Sequence, residues 1–324
     1  MPDHRTDRDH RSQRPLPAVM DVGTFQRKFG TDEACWEHLR HIRWGPNLER
    51  FTCPDCGHAQ GWWLAPRRLV ECSECHHQTS VTAGTVFHGA RVPLWKWFWA
   101  IYQLAQDKKG IAALTLAKQI GVCYGTAWLM LLKLRRAMRR RNERYVLQGL
   151  VEVDETYVGG EEPGSPGRPG RDSQKKVPVA VALELDTQGK PRHVAMASVK
   201  RVTGHHLKRF AAKMIAKGSK LRTDGWGAYR VVAKAGYEHD PIVTGSGRQA
   251  VQTFPWIHTF MGNMKRMILG THHWVSHKHL DDYLAEFAYR ANRRWQEATL
   301  FDRLVVAALG SKAVTYKELT TGAT

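Results

Sequence analysis

The 324 residues suit two or three domains, and the 42% hydrophobic and 10% aromatic content can bury a sizeable core. Lys and Arg total 49 against 30 Asp and Glu, a formal net charge of +19, which favours a polyanionic partner: nucleic acid or an anionic membrane surface. The apolar run Pro93–Ala105 is too short to span a bilayer and carries Lys96, and Met1–Pro15 holds no apolar signal-peptide stretch, so a cytoplasmic, nucleoid-associated protein with no membrane role is expected.

Residues 1–20 read as a basic, disordered tail. Phe25, Phe29, Cys35, Leu39, Ile42 and Trp44 then fall loosely on one helical face. Two C-x2-C knuckles follow, Cys53 with Cys56 and Cys72 with Cys75, separated by 15 residues. In a reducing compartment such pairs point to metal rather than disulfides, and four thiolates close a tetrahedral Zn2+ site with no open position. The zinc is therefore expected to be structural, within a ribbon region spanning residues 21–90. His58, His76 and His77 adjoin the knuckles as surface groups. Cys35 and Cys123 stand alone and read as small buried apolar residues.

Residues 91–145 read as a helical DNA-binding segment. The stretch from Leu114 to Arg141 has helix-turn-helix rhythm with Gly121 at the turn, although a helical hairpin packed on its neighbours has the same pattern. Arg135, Arg136, Arg139, Arg140 and Arg141 crowd its end and are candidates to neutralise phosphates.

From about residue 146 to 300 strand-like runs come first and helices later, which implies an α/β domain on a mixed sheet. A Gly- and Pro-rich stretch from Gly159 to Lys176 reads as a loop inserted into that domain, and residues 301–324 as a C-terminal tail. VEVDETYVGG places Asp154 at the end of an alternating strand, and LRTDGWGAY places Asp224 at the end of another before a Gly-containing turn. Two such carboxylates suit Mg2+ or Mn2+, which favour oxygen donors and support phosphodiester chemistry. Glu155, next along the strand, points to the opposite face.

The blocks VDETYVGG, TDGWGAY and GNMKRMILGTHHWVSHKHLDDYLAEFAYRANRR resemble the signature blocks of ISXO-like insertion-sequence transposases, over about Phe25 to Phe301. The resemblance implies a zinc ribbon ahead of an RNase H-like catalytic domain. It also implies a DDE-type enzyme that cleaves transposon ends and joins them to target DNA, acting as a homo-oligomer assembled on DNA. Asp154 and Asp224 become the first two metal ligands. The third position departs from a glutamate: Asn263, two residues before Lys265, fits the Asn variant of the group. His258 and Glu286 are the alternatives for that position. Lys265 and Arg266 are the expected phosphate contacts. His272, His273, His277 and His279 read as phosphate-side hydrogen-bonding groups rather than a second metal site. A zinc-ribbon regulator without chemistry and an RNase H-fold nuclease that does not join strands are the rival readings.

Overall fold

The computed structural model describes residues 19–159, 176–243, 247–273 and 275–321. The expected basic tail and most of the expected loop after Gly159 lie outside the described residues. Chain order begins with α1 (Val22–Phe29) and α2 (Asp32–Trp44). Asp21 and Thr31 cap them, each side chain accepting from the backbone N–H three residues on, at 2.9 and 3.3 Å. Three antiparallel strands follow: β1 (Gly61–Leu64), β2 (Leu69–Cys72) and β3 (Gln78–Ser80), in the order β1-β2-β3. Next come α3 (Leu94–Gln106), α4 (Ala113–Ile120) and α5 (Tyr124–Asn142). Gly121 ends α4 in the left-handed region at φ +60°, which a glycine reaches without strain.

The second half contains β4 (Leu150–Val158), β5 (Val177–Leu185), β6 (Pro191–Ser198), α6 (Gly204–Met214), β7 (Lys220–Thr223), α7 (Tyr229–Ala233) and β8 (Glu238–Pro241). The five strands form one sheet in the order β6-β5-β4-β7-β8. The first three strands pair antiparallel, whereas β7 joins β4 and β8 joins β7 in parallel. This is the mixed sheet expected of an RNase H-like domain. After it come α8 (Gly247–Thr253), α9 (Pro255–Met267), α10 (Leu280–Ala291), α11 (Leu300–Leu309) and α12 (Tyr316–Thr321).

Alternation along the central strands sorts their side chains between two cores. Val179, Val181 and Leu183 pack against α9 and α10, while Val151, Val153, Ala180 and Ala182 pack against α6 and α7. A third core unites Phe29 and Leu39 of the first helices, Phe51 and Val70 of the ribbon region, Ile101 of α3 and Leu134 of α5. Phe301 and Leu304 of α11 complete it. The segment expected as a C-terminal tail is therefore not one: α11 closes the N-terminal core, with Phe301 stacked on Phe29 at 5.1 Å. Likewise the ribbon and the helices beyond residue 90 share one core instead of standing as separate bodies.

The helical pair α4–α5 has the turn expected at Gly121, but most of α5 is a packing helix. Its outer apolar residues Trp128, Leu129 and Leu132 meet Val314 and Leu319 from the end of the chain. No helix among the described residues is long and apolar enough to cross a membrane.

Candidate metal centres and active site

The two knuckles fold alike. The Cys53 N–H donates to the His58 carbonyl at 2.8 Å and the Cys72 N–H to the His77 carbonyl at 3.0 Å. Gly57 and His76, four residues after the first cysteine of each pair, both take positive φ, +76° and +57°. These turns bring Cys53, Cys56, Cys72 and Cys75 together, with all four sulfurs within 4.8 Å of one another. The Cys53–Cys75 and Cys56–Cys72 separations are 3.6 and 3.5 Å. A tetrahedron of Zn–S bonds near 2.3 Å sets its sulfurs roughly 3.8 Å apart, so the cluster fits zinc. Cys72→Ser is expected to lose one zinc per chain in elemental analysis of the purified protein; full zinc content in that variant would exclude the site.

On the catalytic sheet, β4 and β7 pair with Glu152 opposite Arg222. Two residues further along, Asp154 continues β4 on the Glu152 face, and Asp224 stands one residue beyond the end of β7. Asp154 does not end its strand as expected: β4 runs on to Val158, and within it Asp154 Oδ1 accepts from the Glu155 N–H at 2.8 Å, whereas Asp224 follows the end of β7 and its Oδ1 accepts from the Trp226 N–H at 3.0 Å. Gly225, at φ +81°, makes the turn after Asp224.

The opposite face holds a tie between the same two segments. The Tyr229 hydroxyl donates to Glu155 Oε2 at 2.9 Å. Tyr229 is fully buried, and burial pushes its hydroxyl well above the ordinary phenol value, with Glu155, Asp154 and Asp224 adding to the effect. One hydrogen bond therefore joins the residue after Asp154 to the helix after Asp224. VDET and GWGAY carried the two residues; only the fold could pair them.

Helix α9 covers the carboxylate face. His258 Nε2 lies 3.9 Å from Asp154 Oδ2. Lys265, seven residues on and so back on the same helical face, senses the Asp154 charge from a half-buried position. Burial lowers both groups below their ordinary values, and Lys265 further lowers His258, so the imidazole is mostly neutral at pH 7. Asn263 points elsewhere. At 100° per residue it sits about 140° around α9 from His258. It is exposed, and its carbonyl oxygen accepts from Arg266 Nη2 at 2.8 Å. The placement expected from the N-x-K spacing is thus not found: the helix turns His258, not Asn263, toward Asp154.

Glu286 is also removed from the third position. It is wholly buried between Arg135 and Arg290, at 2.6 and 2.9 Å. The same pairing corrects the expected arginine run. Arg135 is 1% exposed and cannot reach a phosphate from there. Arg136 grips both oxygens of buried Asp282 at 2.9 and 3.0 Å, and Arg139 lies 3.6 Å from Asp281 and from Asp282. Arg140 donates to the Lys312 carbonyl at 2.7 Å. A basic stretch on a helix signals charge, but not which partner holds it.

One residue of this face was not read from the sequence. Glu152 shares the carboxylate face with Asp154, is 3% exposed, and has one oxygen without a hydrogen-bond partner among the described residues. Burial pushes its carboxyl up to about 7, against the Arg222 charge and the Ile257 backbone amide and with the help of Asp154. Glu152 thus touches the first turn of α9, one residue before His258.

Two carboxylates with an imidazole alongside are oxygen-rich donors suited to a hard divalent cation. Among the described residues only the four cysteines bring three or more ligand atoms within 4.8 Å of one another.

A mixed five-stranded sheet of this order with a four-cysteine ribbon ahead of it is the architecture expected of an RNase H-like transposase. Residues 146–292 match the ISXO2-like transposase domain, and residues 30–78 match the transposase zinc-ribbon domain. The chain thus carries an ISXO2-like transposase domain behind a transposase zinc-ribbon domain. It is 28% identical over 270 residues to an uncharacterized protein in the transposable element ISH50 of Halobacterium salinarum, covering 78% of this chain and 88% of that protein. Among solved structures it resembles the Mos1 transposase paired-end complex with left transposon end and the Mos1 mariner paired-end complex with Mn. Both cover 66% of this chain, with 79% and 78% of theirs, at 13% and 14% identity and a TM-score of 0.27, too low to bear on the argument.

Proposed function

We propose that this transposase cleaves DNA at the ends of its own insertion sequence and joins the freed 3′-hydroxyl to target DNA at the Asp154–Asp224 site. The observation that carries the reading is the parallel β4–β7 pairing, which supports Asp154 and Asp224 on neighbouring segments, with His258 and Lys265 of α9 beside Asp154. Asp154 and Asp224 hold Mg2+ or Mn2+, with His258 as third donor in place of the Asn263 expected from the spacing. Such ions would supply activation of the attacking oxygen and charge for the leaving one. What remains is positioning, which is most of phosphoryl transfer. The Glu155–Tyr229 bond holds the two aspartate-bearing segments together, and Glu152 holds the start of α9 above them. Lys265, half-buried beside Asp154, is placed to meet a non-bridging phosphate oxygen, and Arg266 lies on the exposed side of the same turn. Zinc in the four-cysteine site is structural. Two ends must be handled in one reaction, so a homo-oligomer assembled on DNA is part of the proposal.

Cleavage of a labelled end duplex, titrated with Mn2+, tests the reading. Wild type is expected to cut and join. His258→Ala is expected to lower the rate by on the order of 10- to 100-fold and raise the Mn2+ needed, while Asn263→Ala stays within about threefold. The reverse ranking would return the third position to Asn263, and wild type that neither cuts nor joins would sink the proposal.

A further inference from the structure

At the outer edge of the sheet a cleft of about 510 Å3 opens between the end of α5, strand β6 and helix α6. Asp154, Asp224, His258 and Lys265 do not line it. Seven Lys and Arg side chains do, against two carboxylates, and both carboxylates are already engaged. Glu143 is paired with Lys213 at 2.8 Å, and Asp281 accepts from the Ser198 N–H at 2.7 Å. Arg144, Lys200 and Arg209 are exposed, come from three different segments, and have no ion pair among the described residues. Like charges brought to one concave surface repel one another until an anion enters, which is the electrostatic footprint of a phosphate-binding groove.

The cleft also has an aromatic wall. The rings of Tyr145 and His193 stack at 4.0 Å with planes 25° apart. The Tyr145 hydroxyl is held by Glu184 at 2.9 Å, which fixes the ring. Burial keeps His193 below the ordinary imidazole value, so the stack adds no charge of its own at neutral pH. A flat, fixed aromatic pair with cations around it is how sequence-tolerant single-strand binders take a base and its phosphates. Size decides between strand forms: about 510 Å3 is a small-molecule volume, enough for one unpaired nucleotide and too narrow for a duplex.

We propose that this cleft binds single-stranded DNA, one base lying on the Tyr145–His193 stack and the neighbouring phosphates on Arg144, Lys200 and Arg209. The proposal rests on the transposase reading, which is what brings DNA to the chain.

The test uses the full-length, zinc-loaded protein and fluorescence anisotropy with a short labelled oligothymidylate, beside cleavage of the labelled end duplex. In the triple variant Arg144→Ala, Lys200→Ala, Arg209→Ala, the slope of log affinity against log salt is expected to flatten by about 2, at roughly 0.7 for each lost single-strand contact. Tyr145→Leu is expected to weaken oligothymidylate binding roughly tenfold, whereas Tyr145→Phe, which keeps the ring, stays near wild type. Duplex-end cleavage is expected to remain at wild-type rate in the triple variant. Unchanged oligothymidylate affinity and slope overturn the proposal, and so does an equal loss on duplex DNA. Failure of the underlying reading looks different: wild type itself would not cleave the duplex, whatever this cleft binds.

Discussion

Asp154→Asn and Asp224→Asn are each expected to lower metal-dependent strand cleavage by on the order of 10^3-fold or more, with folding and DNA binding kept. Asparagine is the informative replacement because each aspartate also accepts a hydrogen bond from a nearby backbone N–H. Asp154 accepts from the Glu155 N–H and Asp224 from the Trp226 N–H, and a carboxamide oxygen can accept both bonds. The backbone therefore stays in place and only the charge is removed. That charge matters more here than in a site with three carboxylates, since His258 brings a neutral donor. A 10^3-fold loss corresponds to about 4 kcal/mol of transition-state stabilisation, large but ordinary for a group that holds a catalytic ion. Cleavage of the end duplex across a Mn2+ titration, with anisotropy for binding and circular dichroism for fold, makes the measurement. Wild-type-like cleavage by either variant would remove the Asp154–Asp224 site from the mechanism.

What the sequence made legible was whatever chemistry fixes locally. The cysteine knuckles could be read because C-x2-C spacing already implies a turn, and the four sulfurs meet as expected. Alternation and a following glycine marked the strands that carry or precede Asp154 and Asp224, but not that β4 runs on past Asp154 to Val158, where its pairing with β5 continues. Contacts between segments far apart in the chain were hidden. The N-x-K spacing singled out Asn263, yet helical phase, which depends on where α9 lies on the sheet, decides that His258 faces Asp154 instead. Glu155 was placed on the far face by alternation, but its partner Tyr229 is 74 residues on. The arginines of α5 looked like a DNA contact because their carboxylate partners belong to α10, well over a hundred residues later. The last two dozen residues looked like a tail because the core that α11 completes begins near residue 25.

Those α5 arginines lead to the largest expected effect on stability. Glu286→Gln should destabilise the protein by about 3–5 kcal/mol at neutral pH, the cost of leaving buried charge unpaired. The carboxylate is wholly buried, with Arg135 Nε on one oxygen at 2.6 Å and Arg290 Nη2 on the other at 2.9 Å. Arg135 is further held over the Tyr283 ring at 4.0 Å, and Arg290 donates to the Asp107 carbonyl. Gly110 makes the room, because a Cβ there would come within 2.2 Å of a Glu286 oxygen. Glutamine keeps the shape but strands two guanidiniums beside each other in the interior. Burial by itself would raise the Glu286 carboxyl, but Arg135 and Arg290 outweigh it and hold it below the usual carboxylate range. A carboxyl lowered on folding stabilises above its unfolded value, near 4.3, and loses that contribution as pH falls through the folded value. The gap between wild type and Glu286→Gln is therefore expected to be full at pH 7 and to narrow in acid below about pH 4. Replacing the whole set, Arg135→Met with Glu286→Leu and Arg290→Met, is expected to recover much of the loss, since removing every buried charge leaves none to strand. Thermal unfolding followed by circular dichroism reads the difference as a drop on the order of 10 °C for the single variant. An unchanged midpoint at pH 7, or a gap that widens in acid, would show that this buried triad does not hold α5 to α10.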